Sequence, residues 1–104
     1  MPDIQFRCLV FMEGFLPQDE YEMPVKGFRT DVLAEFSDGS RYRLAFYDPT
    51  RLAQDLECEV LEGKVHLTEP GLIILREVTR ENMERAVIEL HGDGYFETLR
   101  PIDC

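Results

Sequence analysis

Few side chains here have the type and spacing that chemistry requires. Two histidines are present, His66 and His91, separated by a predicted strand and a predicted helix. His91-Gly92-Asp93 could offer an imidazole and a carboxylate to a metal, but a metal centre draws on three or four protein ligands. The same tripeptide reads as a helix end, where a histidine favours the negative end of the dipole and Gly-Asp-Gly makes a turn. His66, between Val65 and Leu67, reads as a strand residue.

Three cysteines, Cys8, Cys58 and Cys104, are odd in number and contain no CxxC pair, which fits free thiols in a reducing compartment. Cys104, at the terminus, is the one expected to oxidise in vitro. A nucleophilic thiolate wants a cation or a helix N-terminus beside it. Cys8 sits instead in an apolar run, and Cys58 lies between Glu57 and Glu59. GxSxG, GxxxxGK[ST], GxGxxG, HExxH and the calcium-loop spacing are all absent. The sequence therefore predicts no catalytic residue, no metal ligand set and no cofactor, and it leans away from an enzyme.

Carboxylates are abundant: 21 acidic against 11 basic residues give a formal charge of −10 on 104 residues. That field repels phosphate backbones and anionic membrane surfaces, which are bound through Lys and Arg, and it favours a basic partner. The charge is concentrated. Residues 13–24 contain Glu13, Asp19, Glu20 and Glu22 with no Lys or Arg, and residues 48–62 contain Asp48, Asp55, Glu57, Glu59 and Glu62 against Arg51 alone. Phe15, Leu16, Tyr21 and Met23 interleave the first segment with apolar groups, the pattern of anchors ringed by charge found at protein interfaces.

Elements must position these groups. Residues 4–12 alternate, with Ile4, Phe6, Cys8, Val10 and Met12 on one side and Leu9 and Phe11 on the other, and predict a strand. A second strand is predicted with Phe28, Thr30, Val32, Ala34 and Phe36 on one face, and a third with Tyr42, Leu44 and Phe46. A two-residue Asp38-Gly39 turn would set apolar Phe36 against Arg41. A three-residue Ser37-Asp38-Gly39 loop, with Gly39 left-handed, pairs Ala34 with Tyr42, Val32 with Leu44 and Glu35 with Arg41. Residues 13–24 are expected to be a loop.

Asp48-Pro49 opens a helix, with Asp48 as cap, Leu52, Ala53, Leu56 and Val60 as its expected buried stripe, and Gly63 as its stop. Asp55, Glu59 and Glu62 fall on another side of it, at i, i+4 and i+7. Residues 71–75 predict a strand in the middle of the sheet. Thr79 caps a second helix burying Met83, Ala86, Val87 and Leu90, whose Glu81, Arg85 and Glu89 neutralise one another. Residues 95–99 predict a last strand.

The expected architecture is one α+β domain over residues 1–104, a mainly antiparallel five-stranded sheet with two helices in the order βββαβαβ, or alternatively a small open β-barrel with helices. Met-Pro-Asp-Ile lacks a leader's basic and apolar regions and no apolar run reaches the roughly 20 residues of a membrane span, so the expected location is cytoplasmic. The leading expectation is a non-catalytic acidic protein-binding domain, such as an inhibitor or immunity-type antidote of a basic protein, acting through Phe15, Leu16, Glu20, Tyr21, Glu22, Asp55, Glu59 and Glu62. The alternatives are a small enzyme or ligand-binding domain with a pocket between sheet and helices, using Tyr42, Tyr47, Tyr95 or a carboxylate, and a structural subunit that forms a homodimer.

Overall fold

Two antiparallel pairings and one parallel pairing make the sheet, so it is mixed, four-stranded and ordered β1-β2-β3-β4. The computed structural model describes residues 4–102. Its elements run β1 (Phe6–Phe11), α1 (Asp19–Lys26), β2 (Phe28–Phe36), β3 (Arg41–Tyr47), α2 (Pro49–Leu61), β4 (Leu72–Ile74) and α3 (Arg80–Gly92), ending in a 3-10 helix at Tyr95–Thr98. The α+β class holds, but the described residues form four strands rather than five and three α-helices rather than two.

The β2–β3 hairpin has the register its apolar pattern demands, Val32 opposite Leu44, Ala34 opposite Tyr42 and Glu35 opposite Arg41, and Gly39 takes a φ of 87°. Any shift by one residue would have turned the apolar set to the other face. Two bulges depart from simple alternation. In β1 the register slips between Phe6 and Cys8, so Phe6 and Leu9 both meet the core while Cys8 lies beside Glu35 on the other face. In β2 it slips between Arg29 and Val32, which removes Phe28 from the Val32 face and stacks it on Tyr47.

The core forms on one face of the sheet. Val32, Ala34, Phe36, Leu44 and Phe46 pack against Val78, Met83 and Val87, the last two from α3, with Phe96 of the 3-10 helix and Met23 of α1 closing the ends. Thr79 accepts a hydrogen bond from the Asn82 N–H and starts α3 where expected. Residues 95–99 are not a strand: buried Phe96 makes edge contacts with Phe36 and Tyr95, and a 3-10 turn provides them.

β4 pairs parallel with β3 at the edge of the sheet, not in its middle. Gly71 precedes it with a φ of 72°, and a side chain there would collide with the Arg43 carbonyl. Residues 19–26 of the expected loop are helical. Gly27, φ 76°, ends α1 by donating its N–H to the Met23 carbonyl, and a Cβ at this position would come within 2.7 Å of the Asp48 carboxylate. The radius of gyration, 14.4 Å, exceeds the roughly 13 Å of a compact chain this long.

Candidate functional site

The two acidic segments are best followed from their anchors outward. Arg29, on β2 beside the bulge, forms ion pairs with Asp31 and with Asp19 and donates to the Gly14 carbonyl. The Glu13 N–H donates to Asp31. Burial alone would raise the Asp31 pKa, but the bonds from Arg29 and the Glu13 amide outweigh it and lower the value. This network fixes the path of residues 13–19. Its one sequence signal, an Arg-Thr-Asp run on a strand otherwise read as alternating, does not identify it.

Within the pinned segment, Phe15 turns inward. Its ring lies 4.8 Å from that of Phe11 and 5.3 Å from the Arg80 guanidinium carbon. It is a packing residue and not an outward anchor. Leu16 and Tyr21 do face solvent, at 54% and 76% exposure, with Glu20 exposed between them. Glu22 pairs with Lys26 at 3.4 Å.

α2 begins as its sequence requires, with Pro49 in its first turn and the Asp48 carboxylate accepting from the Arg51 N–H at 2.7 Å. Arg51 then lays its guanidinium 4.2 Å from the centre of the Phe28 ring, which ties the first turn to the sheet face opposite the core. Beyond that turn the orientation departs from expectation. No residue of α2 is buried. The side turned toward the protein carries Arg51, Leu52, Asp55 and Glu59, all half-exposed, while Leu56, Val60 and Leu61 are exposed at 39%, 52% and 81%.

The expected buried stripe is therefore rotated outward. Asp55 and Glu59 are not free on the outside either: Asp55 pairs with Arg51 at 3.0 Å and Glu59 with Lys64 at 2.9 Å. Glu62 is exposed beyond the last turn, and Val65 follows at 91% exposure. Ile74 of β4, opposite Tyr47 in the register, adds a side chain at 53%. The two segments meet where the Asp48 N–H donates to the Gly27 carbonyl, and from that junction Glu20 and Tyr21 lie toward one helix's far end and Glu59 and Glu62 toward the other's.

The remaining candidates have structural surroundings. The Tyr47 hydroxyl donates to Glu69 at 2.6 Å, and burial followed by that bond drives its pKa upward. Tyr95 is raised by burial. Burial, then the hydrogen bond to Glu35 at 3.6 Å, raises the Cys8 thiol, which disfavours the thiolate. Cys58 is exposed on α2, and Cys104 lies outside the described residues. His66 is exposed in the connection between α2 and β4 rather than in a strand, and His91 Nε2 lies 2.6 Å from the Ile4 carbonyl.

Among the described residues no three His, Cys, Asp or Glu side chains converge as a metal-holding cluster, and no helix is long and apolar enough to cross a membrane. No protein-family model matches the chain, and no curated protein or solved structure matches it either.

Proposed function

We propose that this chain is a non-catalytic protein-binding domain for a basic partner, acting as an inhibitor or antidote does, and that α2 is its principal docking element. One observation supports this most: a capped, well-formed helix turns Leu56, Val60 and Leu61 to solvent on a domain of net charge −10. Burying each such side chain contributes up to about 1.5–3 kcal/mol, which the isolated domain forgoes. A partner with an apolar groove rimmed by Lys and Arg recovers that term and meets Glu57 and Glu62 beside it. The charge steers encounter, and the apolar row sets dissociation.

Tyr21 on α1 and Leu16 before it extend the contact only if the partner spans both helices. The reading thus keeps Leu16, Glu20, Tyr21 and Glu62, sets aside the paired Asp55 and Glu59, and replaces Phe15 by Leu56 and Val60. A second copy of the chain is disfavoured as the occupant by two like charges of −10.

The test is capture from the source lysate with the tagged domain, using wild type and Leu56→Glu/Val60→Glu, at low salt and at about 0.5 M salt, where screening acts within a few ångströms. The expected result is a stoichiometric basic protein, depleted at high salt and lost with the double variant while its helical circular dichroism is unchanged. A partner retained by the double variant overturns the assignment of α2. A mass that doubles with concentration in wild type alone gives the stripe to a second copy and overturns the basic partner.

A further inference from the structure

At the other end of β3 from α2, the tip of the β2–β3 hairpin meets the last turn of α3 and the 3-10 helix around a cleft of about 130 Å³. Its apolar walls are Ile4, Phe36, Tyr42, His91 and Phe96. The rings lock one another in place: Phe36 meets Tyr42 edge-on at 5.6 Å and Phe96 at 4.9 Å, and Tyr42 lies 5.1 Å from Phe96. His91 tilts over Phe36 at 4.9 Å, and because its Nε2 faces a carbonyl, which can only accept, that nitrogen carries the hydrogen.

Two carboxylates stand at the rim of the cleft. Asp38 and Glu97 both line it, no lysine or arginine does, and neither carboxylate has an ion-pair partner among the described residues. The Asp38 carboxylate is already oriented. One oxygen accepts from the Ser40 N–H at 2.9 Å and from the Ser40 hydroxyl at 2.6 Å. These bonds hold its pKa below the ordinary carboxylate range.

From this juxtaposition we infer that the cleft is a binding site for a compact organic cation, an alkylammonium or guanidinium group, seated against Tyr42 and its neighbouring rings between the Asp38 and Glu97 carboxylates. The half-exposed Tyr42 ring offers π density and the two carboxylates add full charge, so a cation gains from both, whereas an anion is repelled by the carboxylates. The volume admits a head group of a few heavy atoms on a slender stem. That group can belong to a free amine or to an Arg or Lys side chain of a protein. The inference stands on residues separate from α2 and does not depend on the docking role proposed for that helix.

Amide-resolved NMR titration of the full chain tests it, at about pH 7.5, where an ordinary imidazole is neutral. The probes are methylguanidinium chloride, tetramethylammonium chloride and a blocked Gly-Gly-Arg-Gly-Gly peptide, each against sodium chloride at equal ionic strength. Saturable shifts centred on Asp38, Ser40, Tyr42, Gly94 and Glu97 are expected. Asp38→Asn/Glu97→Gln should weaken binding about tenfold, the loss of one charge-assisted hydrogen bond's worth of affinity. Glu97→Gln alone, at an exposed position, should weaken it severalfold with the spectrum otherwise intact.

Tighter binding of the peptide than of the free ions assigns the cleft to a protein side chain, and equal binding assigns it to a free amine. Shifts that never saturate, that spread evenly over the acidic surface, or that survive the double variant overturn the site. Retention of the lysate partner by the same double variant would leave the α2 assignment untouched.

Discussion

Helices α2 and α3 are each 13 residues long, and each is opened by a side chain that accepts from the N–H three residues on, Asp48 to Arg51 and Thr79 to Asn82. Both carry an apolar stripe at helical spacing. α3 buries Met83 and Val87 completely in the core, while α2 buries nothing and shows its stripe to water. Spacing and caps thus establish that a helix forms and that it is amphipathic. Which way its apolar side turns is decided by what lies across from it, and for α2 the near side is set by the Arg51 contact with Phe28.

The contrast breaks most readily in the core. Met83→Ala should cost about 3 kcal/mol in urea unfolding through lost burial and the cavity it leaves, and a cost below about 1 kcal/mol would mean that α3 is not the helix that secures the sheet. Next in size is Asp31→Asn, which frees Arg29 and the segment bearing Leu16 and Tyr21, at a cost of about 2 kcal/mol near pH 7. The Asp31 pKa is lowered by folding. Its contribution is therefore present above the ordinary carboxylate value and lost as pH falls through the lower folded value. Wild type and Asp31→Asn should converge in stability below about pH 4, and a constant gap down to acid would contradict the ion-pair account.

The two caps report on the two helices separately. Asp48→Ala and Thr79→Ala remove the same kind of bond, worth about 1 kcal/mol each. Thr79→Ala should lower the global unfolding midpoint, whereas Asp48→Ala should reduce helical circular dichroism with little change in that midpoint. Equal global effects would show that α2 is coupled to the core after all. Smallest of all, Val60→Ala and Leu61→Ala should stay within about 0.5 kcal/mol in the isolated domain, and a larger loss would place the stripe against the protein.

Much of this was legible in the chain. The hairpin could be read because one three-residue turn reconciles the apolar faces of both strands, and both long helices because Asp48-Pro49 and Thr79 mark their starts. The bulges at Arg7 and Thr30-Asp31 were not legible, since an extra residue leaves composition unchanged and only shifts which neighbours share a face. α1 was missed because it runs eight residues with Pro24 inside and one buried side chain, Met23, too short for a periodic pattern. The strand expected at 95–99 failed because Phe96 packs better from a 3-10 turn. Of the expected binding residues, Leu16, Glu20, Tyr21 and Glu62 are exposed, whereas Phe15 turns inward against Phe11 and Arg80, the latter 65 positions away along the chain.

The parallel pairing of β4 with β3 bears on how the domain moves. Parallel neighbours need a crossover, so residues 48–71 cannot be shortened to a tight turn although α2 adds nothing to the core. The protein thus carries an obligatory span held mainly at its two ends, by Asp48 and Arg51 at one and by the Tyr47–Glu69 bond and Gly71 at the other. A span with so few buried contacts is expected to open at a small fraction of the global unfolding free energy, which amide hydrogen exchange along α2 would read. A partner meeting α2 would find a helix able to reorient on its own tethers, and the sheet would keep its register while the helix adjusted to the surface it meets.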